Sequence, residues 1–111
     1  MRTQDEKLHI ATEILNQLGG RGFTRMTGAK KFVMLEAGLQ FDLPKKADFV
    51  KEGINRILIT LEASDTYTIR AYKLARRGLV CELRQERECV YGDNLQPAFT
   101  EITGLDTTLP R

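Results

Sequence analysis

Between residues 23 and 91, apolar side chains recur at every second position, in short runs rich in β-branched and aromatic residues that Gly, Pro, Ser and Asp separate. Such alternation belongs to strands with one buried face, because successive strand side chains point to opposite sides. The runs cover residues 23–27, 31–36, 39–43, 55–62, 66–75 and 79–90. Ala37-Gly38, Ala63-Ser64-Asp65 and Arg76-Arg77-Gly78 are connections of hairpin size, so the strands they join are expected to run antiparallel as a meander. The one long connection, residues 44–54, carries Lys45, Lys46, Asp48, Lys51 and Glu52 and reads equally as a loop or as a short helical turn containing Phe49 and Val50. It leaves strand order open, since the early hairpin fits at either edge of the later three-strand meander.

Ahead of the strands the period changes. Leu8, Ala11, Ile14, Leu15 and Leu18 recur at three and four residues and form one apolar stripe, which predicts a helix of about 15 residues. Thr3 and Glu6 have the form of a capping box at its start, and Gly19-Gly20 closes it. His9 falls beside the stripe, as a surface or boundary histidine does. After the strands, Asn94 is placed to cap a second helix with Leu95, Ala98, Phe99 and Ile102 on its apolar side, Gly104 at its end and Pro97 in its first turn.

The pattern thus predicts an α+β fold: an antiparallel sheet of about five or six strands, mostly meander, with an N-terminal and a C-terminal helix on one face. Parity says which face. Leu39, Phe41, Leu43, Ile57, Ile59, Leu61, Tyr67, Ile69, Leu79, Cys81 and Leu83 share the parity expected under the helices. Gln40, Asp42, Arg56, Thr60, Glu62, Thr68, Arg70, Tyr72, Glu82, Arg84, Glu86 and Glu88 share the other, a polar surface broken by Leu58 and Val80 and expected to meet water or a partner.

At 111 residues the chain reads as a single domain, 1–111, and 41% apolar with 29% charged residues is a composition that folds. No apolar run reaches the roughly 18 to 20 residues of a membrane span, and the start lacks the apolar stretch of a signal peptide, so a cytoplasmic location with no membrane partner is expected. Cys81 and Cys89 lie in one predicted strand, where eight residues span roughly 26 Å, too far for a bridge. Free thiols follow. With no CxxC and only His9, zinc ligands of the right kind and spacing are missing, so neither a metal nor a cofactor is expected.

The stretches ILNQLGGRGFTRMTGAKKF, GLQFDLP, GINRILITLEASDTYTIRAYKLAR and YGDNLQPAFTEITGL resemble a family of small proteins encoded by phages, prophages and other mobile elements. QLGG, MTGAK, SDTYT and TGL are its most recognisable pieces, and the likeness spans nearly the whole chain. It implies a viral or mobile-element origin, in the cytoplasm of a bacterial host, and carries over no activity or functional residues. Pro97 is a departure from the family's final helix, and it suggests a later helix start here.

Gly28-Ala29-Lys30-Lys31 puts glycine beside lysine after an expected strand, but a phosphate-binding loop needs GxxxxGK[ST] opening a long helix, and here a strand follows and no Ser or Thr comes after the lysine. A turn whose glycine takes a positive φ is the simpler reading. For acid-base work the carboxylates are dispersed. Asp65 belongs to a turn, Glu82, Glu86 and Glu88 alternate with Arg84 and Arg87, and no nucleophile elbow accompanies His9. No catalytic constellation emerges.

The charge is uneven. Residues 70–87 balance to +4, from Arg70, Lys73, Arg76, Arg77, Arg84 and Arg87 against Glu82 and Glu86. Residues 19–46 also balance to +4, from Arg21, Arg25, Lys30, Lys31, Lys45 and Lys46 against Glu36 and Asp42. If the two converge they make a patch for nucleic-acid phosphate or an acidic protein surface; if not, they protect sheet edges. Stacking on single-stranded RNA takes two or three exposed aromatics, and the outward parity offers Tyr72 alone. The first expectation is therefore a non-enzymatic module that binds a host or phage protein, such as a defence component, with nucleic-acid binding as the alternative. Candidate binding residues are Arg25, Arg56, Arg70, Tyr72, Lys73, Arg76, Arg77 and Arg84. A self-pairing edge strand would give a homodimer under either reading.

Overall fold

The computed structural model describes residues 3–44, 53–75 and 80–105. The first helix, α1 (Gln4–Leu18), forms where the apolar stripe predicts it and buries Ala11, Ile14 and Leu18. Thr3 Oγ1 accepts from the Glu6 backbone N–H at 3.2 Å, which is the N-cap half of the expected capping box, and the Thr3 hydroxyl, rather than its backbone N–H, donates to the Glu6 carboxylate at 3.2 Å. Gly19, at φ 124, ends the helix.

Residues 23–27 are not a strand. They belong to a second helix, α2 (Gly20–Thr27), which buries Phe23 and Thr27, four residues apart, and leaves Arg25 exposed. Five residues are too few to separate a period of 2 from one of 3.6, and the back-to-back glycines let the chain start a new helix at once. Thr27 Oγ1 donates to the Phe23 carbonyl at 2.8 Å and accepts from the Ala29 N–H at 3.2 Å, and Gly28 turns the chain at φ 71. The Gly28-Ala29-Lys30-Lys31 turn thus has its positive-φ glycine but follows a helix.

Five strands follow: β1 (Lys30–Leu35), β2 (Gly38–Asp42), β3 (Arg56–Leu61), β4 (Tyr67–Ala75) and β5 (Val80–Val90). They form one antiparallel sheet in sequence order, β1 to β5, which places the early hairpin beside β3. Gly38 is required for that junction, because a Cβ there would stand 2.1 Å from the Ile59 carbonyl oxygen. The connection at 45–52, left open between loop and helical turn, lies outside the described residues.

A short 3-10 turn (Gly92–Asn94) leads into α3 (Leu95–Thr103), with Pro97 in its first turn as expected. Asn94 occupies the cap position, but its side chain makes no cap bond; the preceding turn performs the entry instead. The ends of α2 and α3 match: Phe-Thr-x-x-Thr-Gly in both, with Thr103 Oγ1 donating to the Phe99 carbonyl at 2.9 Å and accepting from Leu105 N–H at 3.1 Å. The two phenylalanines meet edge to face, ring centres 5.2 Å apart, and Phe23 meets Phe41 of β2 at 5.4 Å. This aromatic group, with Ile57, Ile59, Ile69, Leu18 and Leu95 around it, is the core between the helix layer and one face of the sheet.

One part of the parity reading is overturned. Two register shifts in the β4–β5 pairing each insert one extra residue into β5, between the partners of Tyr67 and Ile69 and again between those of Ala71 and Tyr72. Each insertion flips the faces beyond it. Leu83 therefore pairs with Tyr72, and Cys81 with Leu74, on the face away from the helices, and both are exposed rather than buried. Glu82 pairs with Lys73 on the helix side instead. Leu79 lies outside the described residues. Among the described residues, no helix is long and apolar enough to cross a membrane.

Candidate functional site

The face that the helices leave open is organised in rows across the sheet. One row runs Lys30, Asp42, Arg56, Tyr72, Leu83; the next runs Val33, Gln40, Leu58, Arg70, Glu86. Directly opposite residues in adjacent strands share a face with Cβ atoms about 5 Å apart, so each row is a line of side-chain contacts.

The arginines on this face are already matched. Arg56 Nε meets Asp42 Oδ1 at 2.7 Å and a terminal guanidinium nitrogen meets Oδ2 at 3.2 Å, a two-pronged pair. That hydrogen bond raises the Arg56 pKa above its ordinary value; partial burial opposes it, and the charges of Asp42 and Cys81 add to the rise. Arg70 Nε meets Glu86 Oε2 at 2.7 Å, and its pKa is raised in the same way, by the Glu86 bond first, against desolvation, with Glu86, Tyr72 and Glu62 contributing charge. Both guanidiniums stay cationic and locally neutralised. Between them stands Tyr72, half-buried, with Leu83 beside it at 50% exposure and Leu58 and Leu74 half-buried nearby.

Of the sequence-derived candidates, Arg56, Arg70 and Tyr72 come together here. Arg84 is exposed on β5 at the second inserted residue and pairs with Glu82 at 2.9 Å. Lys73 has the helix-side parity, and its stem lies over Gly53, 3.3 Å from where a Cβ would stand. Arg25 is exposed in the last turn of α2, in the helix layer and away from this face. Arg76 and Arg77 lie outside the described residues.

Among the described residues, the cations that the two basic segments place on the outer strands stand apart, and Lys45, Lys46, Arg76 and Arg77 lie outside the described residues. Lys30 and Lys31 are on β1 and Arg84 and Arg87 on β5, the opposite edges of the sheet, with three strands between them and hence about 19 Å of sheet width. Arg87 is bound to Glu101 of α3.

Sequence reasoning missed Leu83, Cys81, Val33 and Leu35 as members of the open face. Asp42 and Glu86 were on the expected parity, but their pairing depends on a register that the long connection after Pro44 and the insertions in β5 conceal. The face is also less polar than expected, and Thr68 within it is buried.

A shallow cavity of about 320 Å³ at the sheet end is lined by Lys30, Lys31, Asp42 and Asn55. Asp42 there holds Arg56, and the Asn55 side chain donates to the Leu74 carbonyl at 3.0 Å and accepts from the Leu74 N–H at 2.7 Å, in place of a strand neighbour, while Lys30 and Lys31 make no ion pair among the described residues. Among the described residues, no three His, Cys, Asp or Glu side chains are grouped to hold a metal ion.

The class this defines is an α+β protein with a five-stranded antiparallel meander, helices at both ends of the chain, and one sheet face open. No protein-family model, no curated protein and no solved structure matches the chain.

Proposed function

We propose that this chain is a non-enzymatic protein-binding module of phage or mobile-element origin, acting in the host cytoplasm, and that it receives its partner on the open sheet face around Tyr72. The observation that carries this is the internal pairing of Arg56 with Asp42 and Arg70 with Glu86 on a face that also presents Tyr72, Leu83 and Leu58. Nucleic-acid binding draws on cationic side chains free to neutralise phosphates and so release the counterions condensed on the nucleic acid, whereas a fixed, neutral face with an aromatic anchor suits a protein surface. Arg70 and Tyr72 are the expected hot spots, and Arg84 sits at the rim.

The test uses the full chain as bait in bacterial lysate, with and without nuclease, alongside Tyr72→Ala. The expected result is one discrete protein that survives nuclease and moderate salt and whose affinity drops by about 2 kcal/mol or more in Tyr72→Ala. Recovery of nuclease-sensitive material alone, or a captured protein indifferent to Tyr72→Ala, would overturn this reading; the first outcome turns attention to Arg21, Arg25, Lys30 and Lys31, which are exposed and make no ion pair among the described residues.

A further inference from the structure

We infer that two copies of this chain join through β1, strand to strand about a two-fold axis at Val33, so that their sheets become continuous. The inference concerns the β1 edge of the sheet, away from Tyr72 on β4, and holds whatever binds around Tyr72.

The two edges of the sheet are unlike. Along β5, Glu82, Arg84, Glu86, Arg87 and Glu88 crowd the edge, and the two inserted residues bend it, both of which oppose the addition of another strand. β1 has a single irregularity, at Lys31 with φ 56, and beyond it Phe32, Val33, Met34 and Leu35 continue in regular register with no charge among them. Phe32 is 40% and Val33 45% exposed, although both are large apolar residues. β1 pairs with β2 alone, so its outer backbone groups have no strand partner among the described residues.

The helix layer continues the apolar surface. Gln17 lies against the Gly92 turn, so the flank of α1 that carries it looks toward α3. Leu8, 58% exposed, is on the opposite flank, and Lys7 beside it bonds Glu36, which directly follows β1, at 3.1 Å. Leu8 therefore extends the exposed strip of Phe32 and Val33 above the β1 edge.

A two-fold axis normal to the sheet keeps each face on its own side, so residues brought opposite one another must share a face. Phe32 and Met34 are on the helix side; Val33 and Leu35 are on the open side. Centring on Val33 sets each Val33 against its copy and each Phe32 against Met34 of the second copy. The Lys30-Lys31 end of one strand then lies beside the Leu35 end of the other, so the lysines of the two copies stand at opposite ends of the seam. Centring on Phe32 would set the irregular Lys31 against Val33, and centring on Met34 would put Phe32 against Glu36. The Val33 centre is self-complementary, apolar against apolar on each face with like charges kept apart and the exposed Phe32 and Val33 covered, which is why a second copy, rather than an unrelated strand, is the occupant.

Sedimentation of the full chain across micromolar concentrations should show a reversible dimer that Val33→Lys converts to monomer with an unchanged circular dichroism spectrum. In a Cys81→Ser, Cys89→Ser background, Val33→Cys should oxidise to a covalent dimer, because opposite Cβ atoms at an antiparallel seam are within disulfide reach, while Leu83→Cys in that background should not. A monomeric mass at every concentration would overturn the inference. So would a dimer that persists in Val33→Lys or that Val33→Cys fails to cross-link, since the copies would then meet elsewhere.

Discussion

The two faces of this sheet are made by the same strands, yet they are held together by different physics. On the helix side, Phe23, Phe41 and Phe99 come from α2, β2 and α3 and interlock with no polar side chain between them. On the open side, Arg56 and Asp42 are 32% and 12% exposed and Arg70 and Glu86 35% and 38%, each pair bridging neighbouring strands. The first face is specified by shape, through close packing whose strength falls off with any lost volume. The second is specified by register, because each carboxylate must be opposite its arginine. Matched charges lower the cost of leaving this face uncovered, and Tyr72 stands half-buried and Leu83 half-exposed among them.

The contrast can be broken by substitution. Phe41→Ala should cost about 3 to 5 kcal/mol in urea unfolding, since it removes transfer energy and opens a cavity between two helices and the sheet. A cost near that of an exposed position would mean the aromatic group is not the core. Asp42→Ala comes next, at about 1 to 3 kcal/mol, because Arg56 is left with its charge and no matching acceptor while partly removed from water. Glu86→Ala, at the more exposed pair, should stay below about 1 kcal/mol and fade with added salt. If Glu86→Ala proved the costlier of the two, register on the open face would rest on β5 rather than on the β2–β3 pair.

The sequence makes the covered face far more legible than the open one. α1 announces itself through Leu8 to Leu18 and its capping box, and strict alternation through Phe41, Ile57, Ile59 and Ile69 gives the buried parity of β2, β3 and β4, as the structure has it. Three things are hidden. Phe23 to Thr27 satisfies both periods. The insertions in β5 have no glycine to mark them, and Cys89 takes φ 57 without one, so parity counted along the strand fails at Leu83 and Cys81. The pairing of Asp42 with Arg56 crosses the long connection after Pro44, and no local signal sets its register. Arg56, Arg70 and Tyr72 could be picked out as outward residues; that their charges are matched could not.

Tyr67 offers the finest test, because it stands at the rim where the covered face meets water. Burial raises its phenol pKa above the ordinary value, and the negative charges of Glu13 and Asp65 add to the rise. With the folded pKa above the unfolded one, the neutral phenol contributes stability that is fully present below about pH 10 and is lost as pH climbs through the folded value. Tyr67→Phe keeps the ring and removes the titrating group. The expected outcome, read from urea midpoints at about pH 9 and about pH 11, is that the variant loses less stability over that interval than the parent. Lysine titration is common to both proteins and cancels in the difference. Equal losses would show that the phenol is as well hydrated folded as unfolded, and would move the boundary between the dry face and the wet one inward past Tyr67.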